Sequence, residues 1–401
     1  MRTTFDKPCL KRSWYLMSIK HPPPMTCSRR AVLRTAAGMG AAVLPPLWAQ
    51  SGKAAGSARA LAVAQIVDMA PGQLDVSRDF LIGARVAWQQ VNAKGGINGR
   101  LIQHTVVEAD GSVASLRAAL DSVKKMPQCV ALSGTAGDRA ASQLVALLRQ
   151  ESLEIAHVAP WLQNSELDGD KFTFPIFASR QGQIAQALKS LAVMNVPDLG
   201  AVYASEQEFN QYHLEVEQAC ASLKIRLRTF RSTGDLALVG KNLIVDSPRI
   251  LLFLGGTPEL VQFTQGIDKQ AQQRYIIALA DVNLQTLMQM KAARHLPVMA
   301  TQVVPMVNSP LPVVKAYRDA LARLFDEPPT PQSLAGYIAA RYTADILTTV
   351  EGLPTRQSTL AAFQQRNAVD VSGFRVNYSA QGRSGAFVTQ SMISPDGRLV
   401  G

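Results

Sequence analysis

Groups able to do chemistry are sparse in this sequence. Beyond the N-terminal fifty residues the histidines are His104, His157, His213 and His295. None stands in the His-Glu-x-x-His spacing that puts two imidazoles on one helix face for zinc. The chain has no Gly-x-Ser-x-Gly nucleophile elbow and no Gly-x-x-x-x-Gly-Lys-Ser/Thr phosphate loop. Gly255-Gly256-Thr257-Pro258 follows an apolar run as a phosphate loop would, but Pro258 and the missing second glycine pair tell against it. His157 lies inside an apolar run, where a hydrogen-bonded core imidazole is expected. Catalysis would need converging groups such as a nucleophile with a base, paired carboxylates in a cleft, or metal ligands. No metal and no cofactor are expected, and binding is favoured over turnover.

The elements that must position these residues alternate regularly. Apolar runs at Leu61–Val67, Leu101–Val107, Val130–Ser133, Ile155–Val158, Gly200–Tyr203, Arg249–Leu254 and Tyr275–Leu279 predict strands. Amphipathic stretches at Arg78–Ala93, Ser115–Lys125, Arg139–Arg149, Gln183–Met194, Glu208–Leu223, Glu259–Asp268 and Leu284–Ala292 predict helices between them. Short continuous apolar strands separated by helices mean parallel sheets covered on both faces. The class is therefore α/β, with two doubly wound Rossmann-like lobes. Extended Pro-bearing stretches at Phe172–Arg180 and Pro297–Ser309, and a weaker break at Gly382–Gly385, predict a three-strand hinge with a cleft between the lobes. The expected division is 60–179 with 302–383 for the N-terminal lobe and 180–301 with 384–401 for the C-terminal lobe.

The N-terminus reads as an export leader. Ser28-Arg29-Arg30-Ala31-Val32-Leu33-Arg34 precedes a weakly apolar Thr35–Leu47 run and Trp48-Ala49-Gln50, too short and too broken by Pro45-Pro46 to span a bilayer. This segment resembles the twin-arginine signal family, with Val32 where Phe is usual and Arg34 where Lys is usual. Cleavage after Ala49 and a true start at Met25 are expected, so residues 1–49 are assigned to the leader. Of 41 Lys and Arg and 30 Asp and Glu, the leader takes eight and one, so the net charge falls from +11 to +4. No dense basic run survives, and nucleic acid is excluded as a partner. Cys9 and Cys27 leave with the leader; Cys129 and Cys220 remain and are expected to be buried free thiols in different lobes.

Residues Gly83–Asp110, reading GARVAWQQVNAKGGINGRLIQHTVVEAD, resemble the Leu/Ile/Val-type periplasmic solute-binding proteins of ABC importers. The carrying landmarks are Asn92, Gly95-Gly96-Ile97-Asn98-Gly99, and Glu108 with Asp110. Gly95 and Gly96 are expected to end the helix with positive φ, and Gly99 to close the turn into the strand. Phe174–Ser179 is similar to the family's first crossover, Tyr337–Leu347 to its alanine-rich late helix, and Asp370–Arg383 to its terminal strand pair.

In doubly wound sheets ligands sit beyond the carboxyl ends of the strands, which selects the loops Ser133–Arg139, Ala159–Asn164, Ala204–Asn210, Gly255–Glu259 and Ala280–Leu284. The resemblance places a solute there. By position it implies Thr135, Gly137 and Asp138 in the hydroxyl-bearing loop, Trp161 and Gln163 in the next, Phe209 as the closing aromatic, Thr257 at a strand end, and Asp281 as the acid for an ammonium group. The sequence departs from the pattern: the serine-rich loop is Gly137-Asp138-Arg139, Trp161 fills a small-residue position, and Phe209 replaces a tyrosine. An aliphatic amino acid is thus not the expected ligand. Each position has a plainer alternative: Asp138 and Asp281 as helix caps, Trp161 as interlobe packing, Phe209 as core. The expected function is a non-enzymatic, monomeric periplasmic receptor. It closes its lobes on a small polar or aromatic solute, amino-acid-like, amide or carboxylate, and delivers it to an inner-membrane ABC permease. A ligand-sensing module feeding a membrane receptor or kinase is the alternative, and an exported hydrolase using Asp138 and Asp281 the remote one.

Overall fold

A computed structural model describes residues 61–168, 170–268, 270–290, 296–378, 382–384, 387–393 and 399–400. The paired-arginine leader, the Met25 start and the cleavage site lie outside these residues, as do His295 and Gly385.

The first sheet is parallel and five-stranded, in the order β2-β1-β3-β4-β5. Its strands are β1 (Leu61–Asp68), β2 (Ile102–Ala109), β3 (Cys129–Ser133), β4 (Ala156–Val158) and β5 (Thr173–Phe174). Alternate residues of β1 enter two different cores. Leu61, Val63 and Val67 pack with helices α1 (Leu74–Ala93), α9 (Pro312–Leu324), α10 (Pro331–Thr348) and α11 (Arg356–Gln364). Ala62, Ala64 and Ile66 pack with α2 (Val113–Lys124) and α3 (Asp138–Gln150). A strand covered on both faces has no polar face to show, which is why this one reads as an unbroken apolar run.

The second sheet runs β14-β13-β10-β9-β8-β6-β7. Strands β6 (Asp198–Tyr203), β7 (Arg226–Arg231), β8 (Ile250–Leu254), β9 (Tyr275–Ala278) and β10 (Val298–Gln302) are parallel; β13 (Thr389–Ile393) and β14 (Leu399–Val400) add antiparallel pairs at one edge. One face is covered by α4 (Arg180–Val193) and α5 (Glu206–Ser222), the other by α6 (Leu236–Lys241), α7 (Thr257–Ile267) and α8 (Leu284–Gln289). A hairpin of β11 (Val369–Val371) and β12 (Phe374–Val376) packs on the first core. The chain thus leaves the first sheet after β5, returns to the first core as α9, α10 and α11 after β10, and enters the second sheet again at β13. This is the α/β class with two doubly wound lobes that the alternation predicts.

The Gly-Gly turn after α1 has the expected backbone, with φ of +96° at Gly95, +76° at Gly96 and +77° at Gly99. Asn92 completes it: its side chain both accepts from and donates to the Ile102 main chain at 2.8 Å, fixing where β2 begins. Cys129 and Cys220 are buried and free.

Several elements depart from the sequence reading. Strand β7 was not predicted because Arg226, Arg228 and Arg231 break its apolar pattern; it is a sheet edge whose only half-buried apolar residues are Leu227 and Phe230. Strand β10 lies inside the stretch read as an extended break. Helix α1 starts four residues earlier than Arg78, since Gln73 precedes it without a side-chain cap and leaves no start signal. Helices α6, α9 and α11 escaped the pattern altogether.

His157 is fully buried on β4, with Nε2 at 2.9 Å from Thr135 Oγ1 and Nδ1 at 3.3 Å from Thr173 Oγ1. Burial holds its pKa down at about 4. A base depressed in the folded state contributes stability that is lost as pH falls from the unfolded value near 6.5 toward 4, because the unfolded chain then binds the extra proton. His104, also held near 4 mainly by burial, acts in the same direction. The stability of His157→Gln is therefore expected to fall less steeply on acidification. The gap between variant and wild type should change by up to ~3 kcal/mol from pH 7 to pH 4, read by denaturant titration at each pH. Parallel curves would contradict the buried neutral imidazole.

Candidate functional site

The first crossing of the chain delivers Arg180 to the start of α4, capped by Ser179, whose Oγ accepts from the Gly182 N–H at 3.1 Å. A cation at a helix N-terminus opposes the helix dipole, so this position calls for compensation from elsewhere. Carboxylates supply it. Arg180 is buried, its Nη1 donating to Glu208 Oε2 at 2.7 Å and its Nη2 to Asp281, with Asp138 Oδ2 at 3.8 Å and the Tyr212 ring beneath the guanidinium at 4.9 Å. Burial alone would lower the guanidinium pKa, but Asp281 and Glu208 keep it well above its usual value. Asp138 is pushed up to about 6 by burial, against the pull of Arg180.

The same cluster ties the lobes together. Asp281, which follows β9, accepts from Trp161 Nε1 at 2.9 Å and from Gln163 Nε2, both in the loop after β4. Gln163 Oε1 in turn accepts from Gln183 Nε2 at 2.8 Å, and Gln183 Oε1 accepts from the Ala280 N–H at 2.9 Å and from Thr301 Oγ1 at 2.8 Å. The network therefore joins the first crossing to β10, where the second begins. Arg383, at the third, donates to Asp168, to the carbonyls of Leu162 and Phe177 at 2.7 and 2.8 Å, and to that of Asn164 at 3.0 Å. The first and third crossings bond to the 161–168 loop directly, and the second reaches it through Gln183.

In front of Arg180 lies a cavity of about 490 Å³. Its first-lobe wall comes from the loop after β1 and the first turns of α3; its second-lobe wall comes from the loops after β6 and β8. These are the carboxyl ends of parallel strands, as the topology requires. Asp68, Asp138, Glu208 and Glu259 line it, opposed by Arg139 and Arg180. Gly137 makes the first-lobe wall possible: its φ is +99°, and a Cβ there would stand 2.8 Å from the Asp68 Cβ.

Of the residues implied by the resemblance, Asp138 lines this cavity, and Gly137 precedes it as the N-cap position of α3. Asp138 is not itself the cap: its Oδ1 accepts from the Gln163 N–H at 2.6 Å. Trp161, Gln163 and Asp281 are almost fully buried and form the base beneath Arg180. Trp161 packs edge-on against Phe80, with centroids 5.9 Å apart. Asp281 does not cap α8; Asn283 does, and its Nδ2 also reaches Asp79 on α1 at 2.8 Å. Thr135 Oγ1 lies 2.9 Å from His157 Nε2, and Thr257 Oγ1 accepts from the Asn283 N–H at 2.9 Å; neither residue lines the cavity. Phe209 lies outside the cavity lining, stacked on His213 at 4.3 Å and covered by Arg231. Sequence reasoning named none of Asp68, Arg180, Gln183, Glu259 and Arg383 as site residues, although Glu259 ends one of the selected loops and Arg180 and Arg383 stand in the predicted breaks.

A family model described as "Periplasmic binding protein" matches residues 61–393. A substrate-binding periplasmic protein from Ralstonia solanacearum is similar in structure, with a TM-score of 0.76 at 20% identity over 85% of this chain and 99% of that one. An extracellular ligand-binding receptor from Verminephrobacter eiseniae gives 0.77 at 19% over 85% and 99%. A branched-chain amino-acid ABC transporter protein from Thermus thermophilus with bound valine gives 0.72 at 12% over 85% and 95%. No curated protein sequence matches the chain.

Removing one partner of a buried ion pair leaves the other charge unpaired, at a cost of about 3–5 kcal/mol. Arg180→Gln is expected to lose stability of that order in urea unfolding, and Asp281→Asn added to it should recover part of the loss. An unchanged midpoint in Arg180→Gln would mean the cluster is not the joint described.

Proposed function

The chain belongs to the periplasmic binding protein family, and on that premise we propose that it is a receptor that captures a small polar solute between its lobes. It then hands the solute to an inner-membrane ABC permease. The observation that carries this reading is the cavity at the strand ends. Both lobes contribute polar walls to it, and directly beneath it a buried ion network links them across the chain crossings. A solute bridging the walls favours the conformation in which both are in reach, so binding and closure are one equilibrium. That coupled closure is what a permease would read.

Two features argue against an aliphatic amino acid as the solute. Asp281, which the resemblance assigns to an ammonium group, is already engaged by Arg180, Trp161 and Gln163. The hydroxyl of Thr135, assigned to a carboxylate, is committed to His157. The paired arginines Arg29 and Arg30 support export to the periplasm by the twin-arginine route.

Native mass spectrometry of protein purified from the periplasmic fraction tests the reading. One small solute per chain is expected, released on unfolding and recovered chemically unchanged. Protein carrying Lys at both Arg29 and Arg30 is expected to be missing from that fraction. Conversion of the released solute by the protein would overturn the receptor reading.

A further inference from the structure

We propose that the solute is a small organic cation, and that its positive nitrogen seats on Asp68 with Glu259 facing it from the other lobe. This rests on the receptor reading above and narrows it to a charge class.

Asp68 ends β1 and is fully buried, yet it forms part of the cavity wall. Its Oδ1 accepts from the Ala70 N–H at 2.9 Å, while Oδ2 has no hydrogen-bond partner among the described residues. It forms no salt bridge among the described residues, although Arg139 lies close enough to exert some attraction. A buried carboxylate oxygen without a donor is costly, and native structures retain such groups where a partner arrives from outside. Burial also raises the Asp68 pKa, as expected for a charge awaiting compensation.

The opposite wall repeats the arrangement. Glu259, in the first turn of α7, has a buried Oε2 with no side-chain or backbone hydrogen bond among the described residues; burial raises its pKa, while the nearby backbone N–H groups of Glu259 and Gly256 draw it down. The two arginines of the cavity leave this acid excess standing. Arg180 is consumed by Asp281 and Glu208, and Arg139 is exposed. An anionic solute would meet Asp68, Asp138 and Glu259 with one exposed arginine to oppose them. A primary ammonium, amidinium or guanidinium instead supplies the N–H donors that Asp68 Oδ2 and Glu259 Oε2 lack. The side-chain carbonyl oxygens of Gln73 and Gln143, also buried and without a partner among the described residues, extend the acceptor surface beside the cavity for further N–H groups.

The test is isothermal titration of the wild type and two variants, Asp68→Asn and Glu259→Gln. The probes are 1,4-diaminobutane and 4-guanidinobutylamine as cations, leucine as a zwitterion, glutarate as an anion and valeramide as a neutral amide. At least one cation is expected to bind, and Asp68→Asn to weaken it at least tenfold, with Glu259→Gln acting in the same direction. Asparagine keeps the acceptor for Ala70 and removes an uncompensated charge, so Asp68→Asn should melt no lower than the wild type when no cation is present. Loss of binding together with retained thermal stability separates a ligand contact from a structural one. If Asp68→Asn fails to fold, Glu259→Gln carries the test alone. Binding of leucine, glutarate or valeramide in preference to the cations overturns the assignment and leaves the receptor reading standing, as does cation binding that neither variant weakens. No binding by any probe overturns the assignment too, while the solute recovered from the periplasm still judges the receptor.

Discussion

A guanidinium buried among carboxylates at the point where the chain first changes lobes sets the conditions for everything around it. Arg180 cannot shed its charge, and its place at the start of α4 turns the helix dipole against it. It is stable there only while Asp281, Glu208 and Asp138 surround it, and those acids come from both lobes. Asp281 is in turn held by Trp161 and Gln163 from the first lobe. The electrostatic requirement of one side chain thus becomes a geometric requirement on two domains. Charges of this kind are poor sources of net stability but strong sources of registry, because the unpaired alternative costs far more than the paired state gains.

This arrangement separates two jobs that a simple positional transfer would merge. Acids and amides beneath Arg180 hold the lobes in register, while Asp68 and Glu259 in the cavity wall keep buried oxygens without a partner among the described residues. Gln183, Thr301 and Arg383 fasten each crossing to the 161–168 loop or its network, which joins the two lobes through a short chain of hydrogen bonds.

Much of the fold was legible because burial on both faces writes itself into sequence as short unbroken apolar runs, and β1, β3, β6 and β8 carry that mark. Strand β7 did not, since a sheet edge needs few apolar residues and its arginines face water. Helix α1 concealed its first turn behind an uncapped Gln73. The site was legible only as a set of loops. Topology selects the strand ends, and the cavity lies among them, but which side chain faces solute and which faces a neighbour depends on partners distant in sequence. Asp281 looks like an open acid until Arg180, 101 residues earlier in the chain, is seen beside it. Asp68 looks like the polar end of a core strand until the space before it is seen.

The central claim is that the Arg180 network sets the relative position of the lobes, and small-angle X-ray scattering measures that position directly. Protein lacking residues 1–49 and its Arg180→Gln counterpart should be compared without added solute, after circular dichroism has shown both to be folded. The variant is expected to show a larger radius of gyration and a broader distance distribution, as lobes freed from their common cation separate. Superimposable scattering curves from the two folded proteins would contradict it.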